Sequence, residues 1–377
     1  MGSLKILFPF VGDSVGGSHN SILELYHCLK QTSVVPIIVI HNKGPLADYL
    51  DDLKIPYEFL TVNKLAGESP NILKVIFGIF SNFFIIKKFL KVHNFDIVHG
   101  NDLRINLSWS LPTRISKLYY IWHQRTTMSS SLLWMLSSLL SNHVVAISGH
   151  VYQSLPRNIP LSKKSLVLNP FNVKKIYDKK DSRKWVNALY KIPEDTILFG
   201  YIGRLITWKN VDVLIRYFSH FINNQNKSIH LLIVGTGSKE YVDKLKNIAL
   251  KLGIDNKVIF VGFSSESLRI IASLDLLISS SNNEPFGRTI VEAMIQKTPV
   301  LAAYGGGHNE TINPSITGYL YKHESLEDFC LKCDLNVNDE VQNEQMIKTA
   351  HDLACIKYSS LKHSEAILDI YKFVMTK

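Results

Sequence analysis

Residues 284–292 read Glu284-Pro285-Phe286-Gly287-Arg288-Thr289-Ile290-Val291-Glu292, between the apolar run Leu276-Leu277-Ile278 and an apolar stretch holding Ile290, Val291, Ala293 and Met294. An apolar run, a short turn with Pro and Gly, and then apolar residues at helical spacing are the parts of a strand–loop–helix unit. Glu284 then lies on the loop at the carboxyl end of a strand, and Glu292 about one turn inside the following helix. In open α/β sheets ligands bind beyond that end of the strands. The first N–H groups of a helix have no intrahelical acceptor and suit an anion.

The same alternation extends in both directions. Strands are expected at 196–202, 229–234, 257–261, 275–279 and 299–303, with helices at 211–221, 239–252, 268–272 and 288–296 between them. The first half gives strands at 5–10, 36–41, 96–99, 119–123, 143–147 and 165–168, and helices at 19–30, 71–92 and 132–140. Strands alternating with longer helical stretches predict parallel sheets covered on both faces. A chain of 377 residues exceeds one ordinary core, so two doubly wound domains are expected, with a ligand crevice between them. Residues 1–172 form the first, the lysine-rich 173–192 a linker, 193–357 the second, and 358–377 a final helix.

Composition narrows the function. Apolar content of 46% and charged content of 20% describe a folded chain. Four scattered cysteines make no disulfide framework, and Cys330-x-x-Cys333 has no second ligand pair beside it, so a reducing, cytoplasmic setting is expected. Ile6 to Val11 reads as a buried strand rather than part of a signal peptide. The most apolar window, Val75 to Ile86, has 12 residues, short of the roughly 20 needed to span a bilayer. The net charge of +10 is concentrated: 103–177 and 69–95 contain no Asp or Glu. Such a field favours anionic partners, among them acidic membrane surfaces. With no recognised binding module among the basic residues, nucleic acid is not an expected partner.

Several local groups point to the crevice. Arg204 follows Gly203 after a strand, and Lys209 precedes a helix start, a pairing suited to a diphosphate or simply to solvent. Gly16-Gly17 and Gly235-Thr236-Gly237 each follow a strand, either as tight turns or as backbone brought close to a ligand. His123 ends a strand, where it faces the crevice or is satisfied against backbone. Gly305-Gly306-Gly307 passes close to a ligand or to an adjacent loop. There is no dinucleotide fingerprint, P-loop, G-x-S-x-G elbow or metal-spaced cluster, and no protein-held metal is expected.

These landmarks in this order resemble the retaining, nucleotide-sugar-dependent glycosyltransferases of family 4. The likeness covers Gly16-Gly17, His123, Asn169-Pro170, Gly203 to Lys209, Gly235 to Gly237, Val261-Gly262-Phe263, Glu284 to Glu292, Pro299-Val300, Gly306-Gly307 with Glu310, and Thr317 to Leu320. It implies a GT-B fold: two facing Rossmann-like domains, the first for an acceptor, the second for the donor, and a final helix crossing back to the first. The implied donor is a nucleoside diphosphate sugar, a UDP-sugar before a GDP-sugar, with no tightly bound cofactor or metal. Arg204 and Lys209 are then implied to hold the diphosphate, Glu292 the ribose and Glu284 a sugar hydroxyl. His123 lies beside the sugar, and Gly17 lets its loop close on the phosphates. Backbone from Gly287 to Thr289 meets ligand oxygens, and Gly16, Gly235, Phe263, Phe286 and Arg288 complete the donor-side set.

Two departures stand out. Asn210 occupies the place where the family has glycine, which predicts a slightly altered turn. Arg288 replaces a small or aliphatic residue and is expected to be solvated or paired with the Glu284 carboxylate. The implied reaction is retaining transfer of a sugar to a hydroxyl of a glycan or lipid-linked acceptor, as in bacterial surface polysaccharide synthesis. With no acid in 103–177 to act as nucleophile, front-side attack is favoured over a glycosyl-enzyme. A nucleotide-sugar-binding or assembly protein without turnover is the alternative.

Overall fold

The structure, a computed structural model, describes residues 3–63, 71–128 and 132–376. Residues 69 and 70 of the acid-free window lie outside it. The chain divides into two compact units, residues 1–171 with 360–377, and residues 172–359.

In the first unit seven parallel strands form one sheet: β1 Leu4–Phe10, β2 Val34–Ile40, β3 Glu58–Phe59, β4 Ile97–Gly100, β5 Tyr119–Gln124, β6 His143–Ala146 and β7 Lys164–Leu166. Their order is β3-β2-β1-β4-β5-β6-β7, so the chain reverses direction across the sheet between β1 and β4. Alternate residues of β1, Ile6, Phe8 and Phe10, point to one face with Ile97, Ile121 and Val145. Helices Gly17–Leu29 and Ser360–Met375 close that face, the latter through Ile367, Ile370, Tyr371 and Val374. The final helix is thus part of the first unit's core. Trp122, which alternates with Ile121 and His123 along β5, packs edge-on against Trp134 of the helix Leu132–Leu139.

The second unit repeats the plan with six parallel strands: β8 Ile197–Ile202, β9 Ile229–Val234, β10 Val258–Gly262, β11 Leu276–Ser279, β12 Val300–Ala303 and β13 Tyr319–Tyr321. The order β10-β9-β8-β11-β12-β13 puts its reversal between β8 and β11. Strands buried on both faces read as continuous apolar runs, as in Leu231-Leu232-Ile233, each with no exposed surface.

Residues 173–192 are not a bare linker. They contain the helix Lys179–Tyr190, capped by the Asp178 side chain accepting from Asp181 N at 2.9 Å. Arg183 and Lys179 both pair with Asp275, and Trp185 lies under Arg269 at 4.5 Å. The lysines that made the stretch look like a solvated connector occupy only the outer face; Ser182, Val186 and Asn187 are buried. Helices at Pro45–Asp52 and Leu103–Ile115 are further elements that periodicity did not expose, the second holding Pro112 near its end.

Burial holds His41, His99 and His123 below the usual imidazole value of 6.5, and all three belong to the first unit. Above about pH 6.5 folded and unfolded forms are both neutral there. Below it the unfolded chain takes up protons that the folded chain refuses, so stability falls with pH. The melting temperature should therefore drop steadily from pH 7 to pH 5. A flat profile over that range would show that these rings accept protons in place.

Candidate functional site

The reversal between β8 and β11 sets the loops that follow these two strands side by side, the geometry that makes a ligand crevice in such sheets. The first of these loops carries Arg204 and Lys209, the second Glu284. The Lys209 ammonium forms an ion pair with the Glu284 carboxylate, and both side chains are largely shielded, at 15% and 16% exposure. Burial pushes the Lys209 pKa down, and Glu284 opposes that shift. The ammonium also lies 4.2 Å from the centre of the half-exposed Trp208 ring. Ser280 holds the lysine's backbone by donating to the Lys209 carbonyl at 2.7 Å.

Asn210 follows at φ +55° and ψ +35°. This is the left-handed region that glycine enters freely and asparagine tolerates better than most residues. The turn therefore takes a conformation that glycine adopts readily, here held by an asparagine whose side chain can hydrogen-bond. The Asn210 amide reaches the Ser280 carbonyl and the His323 ring, each at 3.4 Å.

Glu284 is positioned by backbone. The turn Gly305-Gly306-Gly307 after β12 passes directly under residues 282–286, and Gly307 N–H donates to the Glu284 carbonyl at 2.6 Å. A Cβ on Gly305 would collide with the Asn282 carbonyl, one on Gly306 with the Glu284 carbonyl, and one on Gly307 would stand 2.6 Å from Phe286 Cα. Of the two uses expected for this glycine run, the structure shows contact with an adjacent loop. Behind it His308, fully buried, meets Ser279 Oγ at 3.1 Å and the Ala303 carbonyl at 3.0 Å.

The loop ends at Gly287 (φ +89°), which opens the helix Arg288–Ile295. Arg288 pairs across one turn with Glu292 at 3.4 Å, both 16% exposed. Glu292 is thus a partner of this arginine. Phe286 is buried and meets the Tyr358 ring edge-on, so it anchors the loop. Thr289 is partly exposed at the helix start.

Gly235 and Gly237 brace the neighbouring loop. A Cβ on either would strike a carbonyl, that of Gly203 or of Leu205, and Leu205 N–H donates to the Thr236 carbonyl at 2.8 Å. Arg204 is exposed on this braced segment, and Phe263 is 70% exposed beyond β10. Lys209 and Glu284 are in contact; Arg204 and Phe263 share the same sheet edge as separate exposed groups.

The first unit has its own reversal, between β1 and β4. Gly16 caps the helix Gly17–Leu29, and its N–H donates to His19 Nδ1 at 3.0 Å. Burial pushes His19 down to about 4, against the pull of Asp102 and Asp13. Asp102 immediately precedes the acid-free 103–177 window, and Asp13 lies far from it in sequence, so attention to that window alone misses both. Asp13 takes both ends of the Arg104 guanidinium, at 2.6 and 3.0 Å. Asp102 caps the helix Leu103–Ile115.

His123 does not open onto solvent. It is fully buried, stacked between His99 and His363, with Nδ1 3.1 Å from His99 Nε2 and 3.3 Å from Arg125 Nη2. Arg125 also donates to Asn101 and Asn169, which ties the carboxyl ends of β4 and β5 to the Asn169-Pro170 segment. The unbroken apolar run Tyr119 to Trp122 did signal a strand buried on both faces. Among the described residues no group of three or more His, Cys, Asp or Glu is arranged to hold a metal ion.

Residues 186–352 match the family described as glycosyl transferases group 1, which spans the β8–β13 unit and its Lys209–Glu284 site. An uncharacterized glycosyltransferase of Methanocaldococcus jannaschii is 25% identical over 309 residues, 76% of this chain and 77% of that protein. The poly(ribitol-phosphate) alpha-N-acetylglucosaminyltransferase of Staphylococcus aureus is 26% identical over 206 residues, 54% of this chain but 41% of its own length. Among solved structures, Anabaena HepE in complex with UDP and glucose superposes with a TM-score of 0.84 at 20% identity, covering 98% of this chain and 99% of that one. A glycosyltransferase from Rickettsia africae gives 0.84 at 23% identity, covering 100% and 99%. The fold is that of these structures, GT-B, with two Rossmann-like units.

The glycine turn can be tested against a control. Gly253 (φ +67°) has open space where a Cβ would go, while Gly306 (φ +54°) has the Glu284 backbone. Both alanine variants carry the left-handed strain of about 1–2 kcal/mol. Gly306→Ala should in addition displace Glu284 and weaken ligand binding at least tenfold, with Gly253→Ala near normal. Equal binding by both, measured calorimetrically, would remove the loop-positioning role.

Proposed function

We propose that this protein is a retaining glycosyltransferase that moves a sugar from a nucleoside diphosphate donor to a hydroxyl of a glycan or lipid-linked acceptor. The observation that carries this reading is the shielded Lys209–Glu284 pair at the β8/β11 reversal, inside the segment that matches the glycosyl transferase family. Breaking the bond between sugar and diphosphate places negative charge on the leaving group. Lys209, the exposed Arg204 and the start of the helix Arg288–Ile295 supply positive potential for it. A cation fixed in a shielded site stabilises that developing charge more than the dispersed charge of the donor.

On this reading the donor takes over Lys209, and Glu284 turns to accept from a sugar hydroxyl. Glu292, held by Arg288, accepts from the ribose. Gly287 to Thr289 offer backbone N–H groups, and Phe263 an aromatic face for the base. His123 serves the donor sugar and the Gly16-Gly17 turn the phosphate side. UDP is the favoured nucleotide, in line with the complex of HepE with UDP and glucose. Front-side attack is favoured because Asp13 and Asp102 are already engaged, the first by Arg104 and the second as a helix cap. The leaving oxygen then takes the acceptor proton.

A thermal-shift screen of UDP-, GDP- and ADP-sugars should raise the melting temperature with one base class. Lys209→Ala should lower turnover by about 10²–10³-fold, the scale of losing one charge-stabilising donor, while the fold persists by circular dichroism. Near-normal turnover would sink the diphosphate assignment. Glu284→Ala should damage transfer more than binding of free UDP; equal losses in both would count against its contact with the sugar.

The acceptor is proposed to reside at a membrane. In the helix Ile72–His93, Val75, Ile79, Ile86 and Leu90 face the core, yet Leu73, Phe77, Phe80 and Phe84 are 64–76% exposed on the outer side. A helix of a soluble unit normally carries polar groups there. Lys74, Lys87, Lys88 and Lys91 flank the aromatic stripe, and no acid interrupts it. Apolar rings flanked by lysine suit the interface of an anionic bilayer, which supports a peripheral location on the cytoplasmic face. No described helix is long and apolar enough to cross a membrane. Sedimentation should show binding to anionic and not to neutral vesicles, reduced about tenfold or more in a triple Phe77→Ser, Phe80→Ser, Phe84→Ser variant. Equal binding of that variant would exclude the stripe.

A further inference from the structure

Four side chains in the first unit form a line of hydrogen bonds whose direction is fixed by one member. The Tyr371 hydroxyl, on the helix Ser360–Met375, is 2.6 Å from His99 Nδ1. His99 Nε2 is 3.1 Å from His123 Nδ1, and Arg125 Nη2 is 3.3 Å from that same nitrogen. His99, His123 and Tyr371 are all fully buried.

A pair of imidazoles alone is ambiguous, since either ring can donate to the other. Arg125 removes the ambiguity. A guanidinium only donates, so His123 Nδ1 must be the acceptor and carries no proton. The nitrogen of His99 that faces it must then bear the N–H. Both rings are kept neutral by burial, so the other His99 nitrogen is a lone pair and accepts from the Tyr371 hydroxyl. The remaining proton of His123 has one place to go, Nε2. That atom is buried, and no acceptor for it exists among the described residues. A buried N–H left without an acceptor costs about 1–3 kcal/mol, which makes it a standing demand for an oxygen atom.

We propose that Tyr371 and His99 are positioning residues that lock His123 as an Nε2–H donor for an uncharged oxygen of the bound sugar. The ligand half of this rests on the glycosyltransferase reading above, whereas the lock itself does not. A neutral N–H suits a hydroxyl, and the adjacent guanidinium, already committed to Asn101 and Asn169, blocks the opposite tautomer. The final helix therefore contributes a proton position as well as apolar cover.

Long-range ¹⁵N–¹H spectra of the histidine-labelled, ligand-free full chain read the tautomers directly. The expected result is His123 protonated at Nε2 and His99 protonated at Nε2. A His123 proton on Nδ1 would overturn the lock, whatever the protein's activity. Tyr371→Phe keeps the ring and removes the donor. It should leave the melting temperature within a few degrees, let the His99 tautomers mix, and lower kcat several-fold with little change in donor KM. An unchanged His99 spectrum in that variant would remove Tyr371 from the chain. Titration with UDP-glucose, UDP-N-acetylglucosamine and GDP-mannose should move the His123 Nε2 signal for the sugar that also raises the melting temperature. A stabilising sugar that leaves this signal in place would refute the contact while the lock stands.

Discussion

The second unit depends on one close approach, three glycines of the β12 turn lying against the backbone of residues 282–286. In the loop after β11, Pro285 and Gly287 limit the shape and the buried Phe286 packs on Tyr358. The Gly307 N–H donating to the Glu284 carbonyl at 2.6 Å ties the loop down through main chain. With the carboxylate located, the shielded ion pair with Lys209 becomes possible. A charge pair at about one-sixth exposure is expensive to desolvate and holds only where geometry is good. The glycines supply that geometry on one side, and Ser280 with the left-handed Asn210 supplies it on the other.

The first unit reaches order by a different route. Its carboxyl edge is held by side chains: Asp13 on Arg104, Arg125 on Asn101 and Asn169, His99 on Tyr371. Networks of that kind are specific because each member has a required role as donor or acceptor. They also tie the end of the chain to strands formed by its first third. Removing the helix Ser360–Met375 would expose Ile367 and Tyr371 contacts and leave His99 without its donor.

Much of the fold was legible because parallel strands buried on both faces leave long apolar runs, and the strand–loop–helix order marks which loops lie at the carboxyl edge. Lys209 and Glu284, 75 residues apart, could be read as neighbours only through the β8/β11 reversal. The helix Lys179–Tyr190 was hidden because its outward lysines outweigh the few buried positions in composition. The helix Leu103–Ile115 was hidden by Pro112 and by polar residues that are in fact buried, Asn106 and Ser110 among them. Strand position left His123 either facing the crevice or satisfied against backbone. The structure stacks it, fully buried, on His363, more than two hundred residues later, and no local pattern reports such a contact. Asp13 and Asp102 were missed for a simpler reason: each is a single acid in a loop, and only the sheet reversal brings Asp13 beside Arg104, which Asp102 already adjoins in sequence.

The Lys209–Glu284 pair has a consequence for what leaves the site. In the empty protein each charge neutralises the other. On the proposed reading, a nucleoside diphosphate alone captures Lys209 and strands the Glu284 carboxylate, largely shielded, with no cation beside it. An intact donor brings a sugar hydroxyl to that same carboxylate. Spent nucleotide is therefore held less firmly than its size and charge suggest, because the carboxylate competes to reclaim its lysine. On that reading the pair favours release, because the protein's own carboxylate competes with the spent nucleotide for the lysine.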